Sequence, residues 1–177
     1  SSGQVGEVGS SDNAGDGLSL RIGARIGEFE ITGRVGEGGF SIVYLARDTR
    51  LQRQVALKEY IPANLASRRP DLHVTARSEH YRHTFDLGLR SFVNEAQLLA
   101  SFDHPSLIRV YRFWEENGTA YMVMPYVRAP TLKRWLLSHP GPLDETWLRG
   151  LLDALIDALE LMHADRCYHR DIAPDNI

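Results

Sequence analysis

The sequence is short of several features that would assign it to a class of protein at once. Its single cysteine, Cys167, cannot form an internal disulfide bond, which favours a reducing compartment such as the cytoplasm. Its longest apolar run, residues 120–127, contains a proline and is far shorter than a membrane span. With a net charge of −3 and no basic cluster, the chain does not have the composition of a nucleic-acid-binding protein. We therefore expect neither a membrane segment within the chain nor a nucleic-acid partner.

Lysine and arginine are missing from residues 1–20, a segment that carries five glycines and five serines. Such a composition cannot bury enough apolar surface to offset the entropy of ordering the chain. We predict a flexible Gly/Ser-rich tail over residues 1–26. The sequence also lacks an initiator methionine and ends at Ile177, inside a motif described below. We therefore expect it to be a portion of a longer protein.

Beyond the tail, the hydrophobic pattern predicts strands first and helices later. Alternating or continuous apolar residues predict strands over residues 29–35, 42–46, 54–59, 107–114 and 119–127. Asn117-Gly118 joins the last two strands and is typical of a two-residue hairpin turn. The polar region 60–86 is interpreted as a long insertion of the kind that is often functional or mobile.

One helix is predicted between the third and fourth strands, and further helices follow residue 127. The first has apolar residues at spacings of four, three, four and three, namely Phe85, Leu89, Phe92, Ala96 and Leu99. A short helix is expected over residues 131–137, and a long one has an apolar stripe from Leu148 to Met162 after an N-cap at Asp144. The pattern indicates an α+β protein with a five-stranded antiparallel sheet and one helix, followed by a helical part.

A glycine cluster, Gly36, Gly38 and Gly39, lies between the first two predicted strands. Glycines allow backbone N–H groups to approach phosphate oxygens because no Cβ stands in the way. The cluster follows only the first two positions of a G-x-G-x-x-G pattern, since Ser41 replaces the third glycine. An ordinary hairpin turn explains the cluster equally well when it is taken alone.

Three further stretches carry charged residues in apolar surroundings. Lys58 lies on the third predicted strand after three apolar residues, where it either reaches phosphates under the glycine turn or points to water. Glu95 interrupts an apolar helix face, where it is either paired with Lys58 or part of a solvated flank. Asp171 precedes Asn176 by five residues, a spacing that suits a base for an attacking hydroxyl and a Mg²⁺ ligand. A polar loop is the alternative for this last stretch.

Taken together and in this order, these motifs resemble those of eukaryotic-like protein kinases, specifically the bacterial Ser/Thr branch. The stretches KEYIPANLASR, DHPSLIRVYRFWEENGTAYMVMPYV and HRDIAPDNI are also similar to that branch. The resemblance covers residues 27–177 and implies a protein-kinase-like fold. It assigns residues 27–127 to the N-lobe and residues 128–177 to the start of a helical C-lobe that stops after the catalytic loop.

The resemblance also implies roles for individual residues and the cofactors ATP and Mg²⁺. Gly36, Gly38 and Gly39 would cover the phosphates, and Lys58 would hold them while pairing with Glu95. Asp171 would be the catalytic base, Asn176 the Mg²⁺ ligand and Arg170 a sensor of activation-loop phosphorylation, while His169 would be structural. The residues expected around the adenine ring are Val35, Val43, Ala56, Met124 as gatekeeper, and the hinge residues Pro125 and Val127.

Ala173 departs from the family pattern, because Ser/Thr kinases usually have there a lysine that neutralises the transferring phosphate. Three functions therefore stay open. The first is ATP-dependent transfer to Ser/Thr of protein substrates by the intact parent, with the 177 residues alone expected to be inactive. The second is an ATP-binding pseudokinase or interaction module, with a partner covering an exposed C-lobe face. The third, a small-molecule phosphotransferase, is disfavoured by Arg170 and by the glycine pair Gly36/Gly38.

Overall fold

A computed structural model describes residues 17–168, 172–174 and 176–177 of the chain. Its main feature is a six-stranded antiparallel sheet in the order β1-β2-β3-β4-β8-β7. The strands of this sheet are β1 (Arg25–Ile26), β2 (Phe29–Glu37), β3 (Ser41–Asp48), β4 (Arg53–Tyr60), β7 (Arg112–Glu116) and β8 (Thr119–Pro125). Two short strands, β5 (Ala66–Arg68) and β6 (Val74–Ala76), form a separate hairpin. The helices are α1 (Glu79–Ser101), α2 (Leu132–Ser138) and α3 (Glu145–Ala164).

The predicted five-stranded sheet is thus wrong by one strand, although the α+β class is confirmed. The additional strand, β1, is two residues long and pairs with β2 across a turn at Gly27, which has a φ of +57°. A single apolar residue, Ile26, gives no periodicity from which a strand could be predicted. The predicted tail also extends too far, because Leu20 is buried in the core and residues 25–26 belong to the sheet.

Helix α1 begins six residues before the first residue of its predicted apolar stripe. Phe85, Phe92 and Ala96 from that stripe are buried, as the spacing predicts. The first six residues, 79–84, are mainly polar and gave no apolar signal. The predicted strand over residues 107–114 likewise begins only at Arg112, after a turn in which the Leu107 N–H bonds to the His104 carbonyl.

The polar region 60–86, interpreted from the sequence as a long insertion, forms the β5–β6 hairpin and the first turns of α1. This hairpin lies on the β7–β8 turn, where the Val74 N–H donates to the carbonyl of Asn117 at 2.7 Å. Gly118 in that turn has a φ of +70°, and a Cβ there would overlap the carbonyl oxygen of Val74 and lie 2.8 Å from His73 Nε2. The close contact shows that the insertion is packed against the sheet.

A buried ion pair joins the insertion to strand β4. Arg68 Nη2 lies 2.7 Å from Glu59 Oε2, and the two side chains are 5% and 0% exposed. Burial raises the pKa of the Glu59 carboxyl, while the Arg68 guanidinium opposes that rise. The Tyr44 hydroxyl donates to the same carboxylate oxygen at 3.0 Å. Glu59 therefore has a charged and a neutral donor on one oxygen, and no described residue forms a hydrogen bond with its Oε1.

The same network holds the segment that precedes β1. Arg68 Nε donates to the Leu18 carbonyl at 2.6 Å, and Nη1 donates to the Leu72 carbonyl at 3.0 Å. The Leu20 N–H donates to the Tyr44 hydroxyl at 2.9 Å. One arginine side chain thus connects the N-terminal segment, the insertion and the sheet.

Asp144 caps α3 as predicted, and Thr131, predicted as the first residue of the short helix, is the N-cap of α2. Thr131 and Asp144 accept hydrogen bonds from backbone N–H groups in the first turns of α2 and α3. Trp135 of α2 stacks on Trp147 of α3 at a centroid distance of 4.9 Å. Helix α3 buries Ala158 and Met162, whereas the leucines of its predicted stripe are not buried, and Leu152 is 54% exposed. Within the described ranges, no helix combines the length and apolar composition that a bilayer span requires.

We expect Gly118→Ala to destabilise the fold more than Gly27→Ala does. Both glycines have a positive φ, which costs an alanine about 1 kcal/mol. A Cβ at Gly27 meets nothing within 4 Å, whereas one at Gly118 overlaps the insertion. Urea denaturation of both variants measures the difference, and equal losses would contradict the packing of the insertion on this turn.

We expect Arg68→Met to lower the free energy of unfolding by about 3 kcal/mol near neutral pH, because Glu59 stays buried without its counterion. The pKa of Glu59 then rises further. A carboxyl whose folded-state pKa exceeds its unfolded value contributes stability at low pH that is lost as the pH rises through the folded-state pKa. The deficit should therefore shrink as the pH is lowered below neutral in urea denaturation.

Two controls accompany this variant. Arg69→Met removes a neighbouring arginine whose pair with Asp71 is exposed, and should cost no more than about 0.5 kcal/mol. The double variant Glu59→Gln/Arg68→Met should lose the pH dependence of the deficit. A deficit in Arg68→Met that does not change with pH would contradict the prediction.

Candidate functional site

Strand pairing places the glycine turn and Lys58 on neighbouring parts of the sheet. Gly36 of β2 pairs with Val43 of β3, Val43 pairs with Lys58 of β4, and Lys58 pairs with Met122 of β8. Adjacent strands are about 4.8 Å apart, so Lys58 is about 10 Å from the backbone of Gly36. A lysine side chain can span much of that distance. The predicted cation and the predicted phosphate loop therefore lie at the same end of the sheet.

The glycine turn is fixed by backbone hydrogen bonds to residues 61 and 63, and its tip is exposed to solvent. The Gly38 N–H donates to the Ser41 carbonyl at 2.8 Å, and the carbonyls of Gly39 and Phe40 accept from N–H groups of residues 63 and 61. Ser41, at the third position of the pattern, begins β3 and pairs with Tyr60. Phe40 at the tip is 71% exposed. The tip of the turn is thus accessible from solvent.

Neither backbone geometry nor packing within the described residues requires glycine at Gly36, Gly38 or Gly39. None of the three has a positive φ. A Cβ would meet nothing within 4 Å at Gly36 and Gly39, and only the Ser41 carbonyl oxygen at 4.0 Å at Gly38. The space that these residues leave open is the space that a ligand close to the backbone would need. The glycines therefore fit a phosphate-binding turn.

Lys58 and Glu95 are brought together by β4 and α1. Lys58 Nζ lies 3.6 Å from Glu95 Oε1, and the side chains are 26% and 53% exposed. The ammonium group also lies 5.8 Å from the centre of the Phe92 ring. Lys58 is therefore not a solvated edge lysine. Both interpretations of Glu95 hold in part, because the carboxylate is paired with Lys58 and the side chain is also half exposed to solvent.

The residues expected around adenine lie on neighbouring parts of β2, β3, β4 and β8 and in the segment that follows β8. Ala56 is buried and pairs with Met124, while Pro125 ends β8 opposite Val55. A cavity of about 540 Å³ opens beside these residues. Of the residues predicted for adenine, two line it, Val35 at 50% exposure and Val127 at 62%. The others, with Lys58 and the glycines, lie outside this cavity.

The C-terminal residues are tied to the first turn of α2. The Leu132 and Lys133 N–H groups donate to the carbonyls of Ile177 and Pro174 at 2.7 and 2.9 Å. The Asn176 N–H donates to the Ala173 carbonyl at 2.8 Å. In the described part of the chain no group of three or more His, Cys, Asp or Glu side chains could hold a metal ion. The predicted base Asp171, with His169 and Arg170, lies outside the described residues.

The sequence reasoning missed the buried residues that support this site. Glu59 and Tyr44 lie on the opposite face of the sheet from Lys58, under the insertion. Burial and the nearby Glu59 carboxylate raise the pKa of the Tyr44 hydroxyl, so it remains a donor. A signal was present, because Lys58 and Glu59 are consecutive charged residues in an apolar strand. Their side chains must point to opposite faces, so a second charged contact was required behind the strand.

Comparison with known proteins gives a consistent result. The model of the protein kinase domain family matches residues 29–177. The serine/threonine-protein kinase PrkC of Bacillus subtilis is 34% identical over 89% of this chain and 22% of its own length. The serine/threonine-protein kinase PknB of Mycobacterium leprae is 34% identical over 84% of this chain and 22% of its own length.

Comparison with solved structures also finds a kinase domain. The apo form of PpkA-294 is 49% identical and superposes with a TM-score of 0.82, covering 90% of this chain and 57% of that chain. The kinase domain of Mycobacterium tuberculosis PknI shares the fold with a TM-score of 0.65 at 22% identity. The chain spans about a fifth of the length of the curated relatives named above. On the match over residues 29–177, the chain belongs to the protein kinase domain family.

Proposed function

We propose that the protein carrying this domain transfers a phosphoryl group from ATP to serine or threonine residues of proteins. The observation that carries the proposal is the Lys58–Glu95 ion pair, two strands away from an open glycine turn. The curated relatives PrkC and PknB, which are named serine/threonine-protein kinases, support it.

Each residue of the site has a distinct task in this proposal. The absence of a Cβ at Gly36, Gly38 and Gly39 lets phosphate oxygens approach the backbone of the turn, which binds them through N–H groups other than that of Gly38. Lys58 supplies a positive charge to the phosphates, and Glu95 keeps the ammonium group directed towards them. Ala56 and Met124, together with the nearby Val35, Val43, Pro125 and Val127, take up the adenine ring.

Asn176 and Asp171 complete the proposed chemistry at the C-terminal end. Mg²⁺, when bound, neutralises charge on the phosphates, and the Asn176 amide oxygen is of the oxygen class that this ion prefers. Magnesium keeps several waters and substrate oxygens in its shell, so one or two protein ligands suffice. Asp171 is proposed to orient the substrate hydroxyl and to accept its proton.

The need for ATP and the single cysteine, Cys167, favour a cytoplasmic location for this domain.

A second candidate, a nucleotide-binding pseudokinase, is favoured by one observation. Ala173 has no side-chain charge, and its carbonyl accepts from the Asn176 N–H inside the loop. The usual lysine of Ser/Thr kinases at this position is therefore absent from the sequence. The partner predicted to cover a C-lobe face stays a prediction, motivated by the exposed Leu152 and Ile156 of α3.

We expect Lys58→Met in the full-length protein to lower kcat/KM for ATP by about 100-fold or more, because one positioned charge contributes that much to transfer. Glu95→Gln should cause a smaller loss of about tenfold, since the lysine remains. Arg47→Met is the control, because Arg47 is an exposed cation at the far end of β3. Phosphate incorporation from labelled ATP into a generic protein substrate measures the effect. Full activity in Lys58→Met would refute the proposed site.

We expect Ala173→Lys to raise kcat about tenfold, because it adds a cation where Ser/Thr kinases have one. Ala173→Gln is the control of similar length without the charge, and it should leave kcat unchanged. Single-turnover phosphate transfer by both variants measures the step. A wild-type protein that binds ATP but transfers no phosphate would favour the pseudokinase.

A further inference from the structure

Strand β4 and helix α1 meet at two points that share one face of each element. Lys58 and Tyr60 are two residues apart in β4, so their side chains point to the same side. Gly88 and Glu95 are seven residues apart in α1, which is about two turns, so they also lie on one side. Lys58 contacts Glu95 at one end of this face, and Tyr60 contacts Gly88 at the other.

At the Tyr60 end the two elements are in close contact. The Tyr60 hydroxyl donates to the Phe85 carbonyl of α1 at 2.9 Å. A Cβ at Gly88 would overlap this hydroxyl and lie 2.9 Å from Cζ of the same ring. The Tyr60 backbone is itself fixed to β8, because the Thr119 hydroxyl donates to its carbonyl. The helix can approach β4 this closely only because residue 88 has no side chain.

Phe92 connects the two ends. Its ring lies 6.0 Å from the Tyr60 ring, centroid to centroid, and 5.8 Å from Lys58 Nζ. The Phe85 ring also packs against the Tyr60 ring, at a centroid distance of 5.3 Å. Tyr60 is 2% exposed, and burial raises the pKa of its hydroxyl to about 12, so the group remains a donor at any physiological pH. A shift of α1 at Tyr60 therefore moves the residues next to Lys58.

The Lys58–Glu95 pair is too weakly held to set the position of α1 by itself. Its atoms are 3.6 Å apart and Glu95 is 53% exposed, so solvent screens the attraction. The helix also retains a glycine in its interior, where glycine is the least favourable residue after proline. Gly150, inside α3, shows the contrast, because a Cβ there would meet nothing within 4 Å.

We propose that Tyr60 and Gly88 are positioning residues, whose contact sets the distance between α1 and β4 and so keeps Glu95 against Lys58. The tests of this proposal that measure activity rest on the proposed function, whereas the contact between Tyr60 and Gly88 can be tested without nucleotide. Tyr60 and Gly88 act through the ion pair and touch no substrate.

The test compares Gly88→Ala with Gly150→Ala in the full-length protein. Both changes give a helix its most favourable residue, but only the first forces α1 away from Tyr60. We expect Gly88→Ala to lower kcat/KM for ATP by about 10- to 100-fold, as a displacement of about 1 Å does, and Gly150→Ala to leave it unchanged. Thermal unfolding of both variants checks that the Gly88→Ala protein is folded at the assay temperature.

Two double variants separate positioning from a general loss of structure. Tyr60→Phe/Gly88→Ala removes the overlapping hydroxyl and should regain part of the lost activity, which general destabilisation would not allow. Glu95→Gln should lower activity about tenfold in the wild type but less than about twofold in Gly88→Ala, because both changes act on one ion pair. Independent, multiplicative effects of Gly88→Ala and Glu95→Gln would overturn the proposal.

Hydrogen exchange of α1 without nucleotide distinguishes the two proposals. Faster exchange at residues 89–95 in Gly88→Ala, but not in Gly150→Ala, is the expected result. If the wild type transfers no phosphate and this exchange difference is present, the proposed function fails and the positioning contact stands. If the wild type is active and Gly88→Ala matches Gly150→Ala in exchange and activity, the positioning contact is wrong.

Discussion

The buried ion pair between Glu59 and Arg68 is the interaction on which the arrangement around the site depends. Arg68 also binds the carbonyls of Leu18 and Leu72, so the N-terminal segment, the insertion and the sheet meet at one point on β4. A buried pair is often no more stabilising than apolar residues of the same volume. Its effect is geometric, because any arrangement that separates the two groups leaves a buried charge unpaired, at a cost of about 3–5 kcal/mol.

Strand β4 is consequently held from both faces. On one face Glu59 is fixed by Arg68 and Tyr44, and on the other Tyr60 packs against α1. Lys58 directly precedes Glu59 in the strand, and alternation places it on the Tyr60 face. The cation that the proposed chemistry needs therefore belongs to a side chain whose backbone is constrained by the neighbouring residues. Most of the rigidity of the site comes from residues that would not touch a nucleotide.

The part of this arrangement that depends on local pattern could be predicted from the sequence. The order of motifs placed Lys58 and Glu95 on a strand and a helix that meet, and Asp144 marked the start of α3. Strand β1 and the first turns of α1 could not be predicted, because few apolar residues occur there at a regular spacing. The Glu59–Arg68 contact was missed for a different reason. Its partners are joined only when the insertion folds over the sheet, and no local periodicity encodes that contact.

The sequence alone does not show why each glycine is present, whereas the structure separates glycines needed for packing from those that leave space for a ligand. Gly118 is needed for its positive φ and for the closeness of the insertion, and Gly88 is needed for the closeness of Tyr60. The turn glycines at 36, 38 and 39 satisfy neither condition, since their φ values are not positive and their Cβ positions are open. A glycine in a strand or turn loses more conformational entropy on folding than any other residue, so three of them together destabilise the hairpin. Within the described residues no contact offsets that cost. A ligand bound close to the backbone would offset it.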